Sequence, residues 1–220
     1  ATTLIGMSGG SNAGWNQLAG MTCSLSTLIG GDMFNSADLP SSLNNMVVIG
    51  AECFEQAQLG SANVDYGVYI GREQLKSANP DVSNCAYNVS IGYRAMGGKV
   101  NGTENVAIGY TSGFDISDSN ASNYNTFYGS RAGFEHASGE YNTFIGYNSG
   151  PSNNAASTGS NNTAIGNGAQ FTSAATSNEI VLGNSSVTAL KCQVQTITAL
   201  SDERDKSDIV DLNYGLDLVM

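Results

Sequence analysis
The sequence predicts an all-β fold, a parallel β-solenoid or β-roll of about ten coils, on three observations. A short apolar packet closed by glycine recurs ten times: TLIG, TLIG, VVIG, VYIG, VSIG, VAIG, TFYG, TFIG, TAIG and IVLG. The residues within each packet are β-branched or otherwise apolar at fixed columns, as a strand requires and a helix does not. Turn formers dominate elsewhere, with 27 Gly and 24 Asn among 220 residues and only 12% charged.

The closing glycines are Gly6, Gly30, Gly50, Gly71, Gly92, Gly109, Gly129, Gly146, Gly166 and Gly183, so the last five intervals alternate 17 and 20 residues. One register therefore governs residues 1–187, with no composition shift that would mark a second globular domain. A packet of this length cannot bury its own apolar face. Stacked at about 4.8 Å per coil, identical packets align into one continuous core.

Each column has a reading. The residue before the glycine is Ile in eight copies, Tyr128 and Leu182 in the others, and is expected to be buried. Two residues earlier, on the same side by the two-residue strand period, stand Thr3, Thr27, Val47, Val68, Val89, Val106, Thr126, Thr143, Thr163 and Ile180. The position between them, Leu28, Val48, Tyr69, Ser90, Ala107, Phe127, Phe144 and their equivalents, points to the other face and is still mostly apolar. That second face is therefore expected to be covered as well. The glycine itself implies either φ > 0 or a backbone approach that a Cβ would block.

Four residues before the glycine, Asn88, Asn105, Asn125, Asn142 and Asn162 recur in successive repeats, as an internal amide ladder requires. Beyond the glycine come small residues, among them Ala95, Ser112, Ala132, Ser149 and Ala169. The following position changes from Phe54, Leu75 and Met96 to Gly113, Gly133 and Gly150, which divides the coils into an earlier and a later kind. The polar segments between packets read as outer loops.

The strings NVSIGYRAM, NVAIGYTSG, NTFIGYNSG and NTAIGNGA resemble the repeats of trimeric autotransporter adhesin heads. That resemblance implies a left-handed parallel β-roll and a homotrimer, whereas parallel crossovers are ordinarily right-handed.

After Gly183 the repeat gives way to an alternating stretch, and residues 188–200 read as an extended neck. Residues 201–220 are charge-dense, with Leu212, Leu216, Val219 and Met220 spaced like the opening of an amphipathic helix. Ser201, Asp202, Arg204, Lys206, Asp208 and Ile209 resemble the junction to the intramolecular chaperone of endosialidase family, found at the C-terminus of phage tail spikes and fibres. The resemblance implies a helical chaperone that assembles three chains and is then cut off beside Ser201. Ser201 would be the nucleophile and Lys206 its base, with Asp202 and Arg204 positioning the scissile segment. A lysine serves as base near neutral pH where burial or a cation such as Arg204 lowers its pKa.

Charge narrows the function classes. A net charge of -11 lacks the cationic face that nucleic acid demands. No run is long and apolar enough for a membrane span, so membrane insertion is not expected. Cys23, Cys53, Cys85 and Cys192 are scattered without a CxxC pair and read as small hydrophobes. Asp115, Asp118, Asp208 and Asp211 lack the glycine-rich nonapeptide of calcium β-rolls, so neither metal nor cofactor is expected. His136, the sole histidine, reads as a surface-loop residue. The tyrosines flanking the packets read as packing between coils or chains, with stacking on a host glycan as the alternative.

Three function classes remain. A trimeric phage tail-fibre segment would bind a host-surface glycan or protein, join other virion tail components and act outside the cell. A cellular trimeric adhesin would share the head. A polysaccharide-degrading β-helix should present paired carboxylates about 5 to 9.5 Å apart, and no such pair recurs at strand spacing. Catalysis, on this reading, is confined to one self-cleavage.

Overall fold
The computed structural model describes residues 3–5, 22–31, 42–54, 64–76, 84–98, 101–114, 122–151 and 157–193. Among them every regular element is a strand, in the order β1 (Thr3–Ile5), β2 (Thr22–Ser24), β3 (Thr27–Gly31), β4 (Ser42–Asn44), β5 (Val47–Ala51), β6 (Val68–Arg72), β7 (Val89–Ile91), β8 (Val106–Ile108), β9 (Thr126–Tyr128), β10 (Thr143–Ile145), β11 (Thr163–Ile165) and β12 (Ile180–Leu182). The ten apolar packets are the ten strands of one parallel sheet, ordered β1-β3-β5-β6-β7-β8-β9-β10-β11-β12. The chain is a parallel β-solenoid. Pairing follows the repeat without slippage: Val68 faces Val89, Tyr69 faces Ser90 and Ile70 faces Ile91. The strands β2 and β4 form a second, two-stranded parallel sheet.

The burial pattern reverses the expected faces. Leu28, Val48, Tyr69, Ser90, Ala107, Phe127, Phe144 and Ala164, the middle residues of their packets, are buried at 0–1% exposure and form the solenoid's own core. The Ile column and the Val/Thr column lie on the outside of the sheet, half-buried in the earlier strands and exposed at Tyr128, Ile145, Ile165, Ile180 and Leu182. The reason is volume. A slender coil has room for one side chain per strand, and its opposite wall must match that side chain.

The opposite wall is made by the columns after the glycine. Cys53, Gln74, Ala95, Ser112, Ala132, Ser149 and Ala169 are all buried, as are Phe54, Leu75 and Met96. The change to glycine in the later coils has a steric cause. A Cβ on Gly113 would lie 2.7 Å from Cδ2 of Phe127, and one on Gly150 would lie 2.5 Å from Cδ2 of Phe144. The two phenylalanines fill the space that Phe54, Leu75 and Met96 fill from the other side. Where the middle residue is Ser90, its hydroxyl is held by the Gln74 carboxamide and donates to the Ala95 carbonyl at 2.9 Å.

The packet-closing glycine satisfies both readings made of it. Gly50 has φ +152°, and a Cβ there would overlap the carbonyl oxygen of Gly71 in the next coil. The coils touch backbone to backbone along this column.

Asn88, Asn105, Asn125, Asn142 and Asn162 form the internal amide ladder. Each carboxamide oxygen accepts the backbone N–H of the ladder residue one coil on, at 2.8 to 3.0 Å, and Asn162 passes it to the backbone N–H of Glu179. Each Nδ2 donates to a corner carbonyl: Gly102 from Asn88, Ser122 from Asn105, Gly139 from Asn125, Gly159 from Asn142 and Thr176 from Asn162. One coil before the ladder the column holds Gly67, and the Tyr69 ring occupies the space where a Cβ would stand. Its hydroxyl donates to the Cys85 carbonyl at 2.6 Å, the same oxygen that Asn88 Nδ2 reaches at 2.7 Å.

His136 is buried, not a surface-loop residue. Its ring lies edge-on to Phe127 and Phe144, with centroids 5.5 and 5.6 Å away, and Nε2 stands 3.4 Å from both the Gly139 carbonyl and Asn142 Nδ2. The signal that GFEHASG enters the core was the Phe127–Phe144 pair, which leaves a wall to be filled.

The chain divides into two compact units, Ala1–Ser186 and Val187–Met220. In the second, residues 188–193 are exposed and carry no strand.

Candidate functional site
Three surface features of the solenoid have chemical consequences. The first is the outer face of the sheet. Because each strand has period two and its middle residue is committed to the core, the residues on either side must point outward. This gives two parallel columns, Thr27–Val47–Val68–Val89–Val106–Thr126–Thr143–Thr163–Ile180 and Ile29–Ile49–Ile70–Ile91–Ile108–Tyr128–Ile145–Ile165–Leu182. Neither column contains a charged residue over the nine strands whose side chains are described. Such a stripe is longer than the scattered apolar residues of an ordinary surface.

The second feature is the corner five residues before each glycine. Leu25, Asn45, Tyr66, Tyr87, Glu104, Tyr124, Tyr141, Asn161 and Asn178 all have left-handed φ between +53° and +63°. Their backbones are in step. Tyr87 N donates to the Asp65 carbonyl, Glu104 N to Ala86, Tyr124 N to Thr103 and Tyr141 N to Asn123. The tyrosines stack in pairs across neighbouring coils, Tyr66 on Tyr87 at 4.9 Å and 3°, and Tyr124 on Tyr141 at 5.1 Å and 2°. Packing between coils is thus one role of these rings, though each stays exposed.

The third is a short ladder of charge beyond the glycine column. Glu52 receives Arg72 Nη2 at 2.6 Å and Lys76 Nζ at 3.3 Å, and Glu73 receives Arg72 and Arg94 at 3.4 Å each and the Tyr93 hydroxyl at 3.3 Å. Burial pushes the Glu52 carboxyl up, but the hydrogen bonds and charges of Arg72 and Lys76 outweigh it, leaving the group below the usual carboxylate range. Arg94 also lies over the Phe114 ring at 4.7 Å, and Arg131 lies over that of Phe134 at 4.2 Å.

Ser201, Asp202, Arg204 and Lys206, named from the sequence as the self-cleavage set, lie outside the described residues, as do Asp115, Asp118, Asp208 and Asp211. Among the described residues no group of three His, Cys, Asp or Glu side chains could hold a metal ion. Cys53 and Cys85 are buried and Cys192 is exposed. Desolvation pushes the Cys53 thiol up to about 12, which removes its nucleophilic thiolate. The sequence places the outer-face columns in the core, and the structure places them outside it. The missed signal was size: the middle column varies from Ser to Tyr with matching changes on the far wall, whereas the Ile column hardly varies at all. No protein-family model, curated protein or solved structure matches the chain.

Proposed function
We propose that this chain is a structural and receptor-binding segment of a phage tail fibre, in which three copies are assembled by a C-terminal chaperone that then cuts itself away beside Ser201. The observation that carries this reading is the uncharged, β-branched outer face of the sheet. An Ile side chain gains about 1.5–3 kcal/mol on full burial, and nine half-exposed positions in line favour association over solvation. Three chains side by side, each presenting this face inward, would cover it and leave the corners and loops outside. The count of about ten coils belongs to the same reading, because several segments between strands lie outside the described residues.

The junction motif supplies the second support. Ser201 would attack the neighbouring peptide carbonyl while Lys206 takes its proton and passes it to the departing amine as the C–N bond breaks, water then hydrolysing the ester; Asp202 and Arg204 would fix the segment, and the reaction would run once per chain. In this account the fibre works by stiffness and repetition, in the virion and outside the cell, with other tail components at its ends and a host-surface glycan or protein at its corners and loops. The same head on a cellular trimeric adhesin is the alternative that the NVAIGY-type repeats favour, and the junction separates the two. Denatured intact mass of the full-length gene product tests this directly. A chain ending beside Ser201, and an uncut chain in Ser201→Ala, are expected. An uncut parent, or cutting that persists in Ser201→Ala, contradicts the serine-lysine assignment.

A further inference from the structure
We propose that Tyr66 with Tyr87, and Tyr124 with Tyr141, are sites of oxidative carbon–carbon cross-linking that staples neighbouring coils together at this corner. All four residues share one backbone conformation, with φ +60°, +61°, +58° and +60°, so their side chains leave successive coils in the same direction. The result is two pairs of nearly parallel rings, 4.9 Å apart at 3° and 5.1 Å apart at 2°. Each ring is 44–59% exposed, within reach of a reagent in solution. Glu104 holds the same column between the two pairs, which confines coupling to Tyr66 with Tyr87 and Tyr124 with Tyr141.

The chemistry needs that arrangement. A one-electron oxidant, of the ferryl-haem or trivalent ruthenium class, takes one electron from each phenol. Each phenol sheds its hydroxyl proton, leaving two phenoxyl radicals. The unpaired electron resides on the oxygen and on the ring carbons ortho and para to it, and the para carbon of tyrosine is already bonded to Cβ. The radicals therefore join by one bond between ortho carbons, and the hydrogen on each of those carbons moves to its own ring's oxygen. In total two electrons and two protons leave and one C–C bond is made. Stacked rings approach each other along the direction in which that bond forms.

Two further contacts rank the pairs. The Glu104 carboxylate accepts the Tyr124 hydroxyl, and an oxidised phenol, being a strong acid, sheds its proton to that oxygen. Tyr93 and Tyr110 also stack, but at 5.5 Å and 19°, with the Tyr93 hydroxyl held by Glu73, so they couple more slowly. The consequence is mechanical. Cys53, Cys85 and Cys192 are free thiols, whereas a tyrosine link would join two successive coils as a disulfide does, removing loop-closure entropy from the unfolded chain. The inference is independent of the self-cleavage and of the number of chains.

The test is oxidation of the full 220-residue chain by tris(bipyridyl)ruthenium(III), generated with light and persulfate. Denatured intact mass separates links within one chain from links between chains. Trypsin cuts between the partners of both pairs, at Arg72, Lys76 and Arg131, so peptides joined with the loss of two hydrogens identify each link. Tyr66–Tyr87 and Tyr124–Tyr141 links within single chains are expected to lead. Tyr141→Phe keeps the ring and should abolish the second link while leaving the first. Glu104→Gln should slow the second severalfold without changing the first, and an unchanged rate removes Glu104 from the reaction. The linked chain should denature at a higher guanidinium concentration than the parent. Links scattered among Tyr128, Tyr147 and other exposed tyrosines, a Tyr93–Tyr110 link that outpaces both pairs, links mainly between chains, or a linked chain with the parent's midpoint overturns the proposal.

Discussion

The carboxamide oxygen of Asn125 accepts both the backbone N–H of Asn142, at 2.9 Å, and its side-chain Nδ2, at 3.0 Å. The same residue donates through Nδ2 to Asn105 Oδ1, Ser122 Oγ and the Gly139 carbonyl. One buried side chain thus serves polar groups of three coils, and its removal leaves the buried backbone N–H of Asn142 without its acceptor and strips a partner from each of the others. Asn125→Ala should cost about 2–4 kcal/mol, because unpaired buried donors and acceptors lose their full desolvation penalty. Chemical denaturation checks this. A loss below about 1 kcal/mol would mean that water replaces the amide and that the ladder is ornamental.

Steric matching across the core gives a second prediction. Gly133 has φ +64°, and a Cβ there would overlap the Phe127 ring. Gly133→Ala should destabilise the fold by about 2–3 kcal/mol through strain and overpacking. Adding Phe127→Ala should make the second change less harmful than it is alone, since the two share one volume. A double-mutant cycle in urea measures the coupling, and simple additivity would contradict the matching.

These two columns mark how far the sequence could be read. The strands, their parallel register and the amide ladder were legible because each depends on local pattern: β-branched packets, a fixed glycine and a recurring Asn. Inside and outside were not. Strand alternation separates two faces but does not say which is core when both are apolar, and Ile29 to Ile165 looked like the better core. The decision rests on long-range volume, Phe127 against Gly113 and Gly133, which single packets do not display. His136 was missed for the same reason, its burial being set by Phe127 and Phe144 in neighbouring coils.

Thiol reactivity should separate the cysteines. Cys192 is exposed, while Cys53 is buried with its thiol pushed up to about 12. In the native chain a thiol reagent near neutral pH should modify Cys192 rapidly and Cys53 only on unfolding. Site-resolved mass spectrometry reads this out, and early labelling of Cys53 would show that its coil opens.

The charge ladder predicts a pH dependence. Glu52 titrates below its unfolded value through Arg72 and Lys76, so its stabilisation is present above the unfolded carboxyl pKa and is lost as pH falls through the folded one. The group is partly exposed, so Glu52→Gln should cost only about 0.5–1 kcal/mol near pH 7. The difference from the parent should vanish in acid below the folded pKa. Stability curves of both chains across this window check it, and a difference that persists at the acid end would remove the ion pairs as its cause.

On the proposed function, the outer Ile and Val/Thr columns pack against other copies of the chain. Light scattering of the full chain measures it most directly, beside Ile108→Lys, which places a charge in the middle of the stripe. A particle of three times the 22.8 kDa chain is expected for the parent, and a monomer with an unchanged strand signal in circular dichroism for the variant. A monomeric parent at the same concentration, or a trimer indifferent to Ile108→Lys, would contradict it.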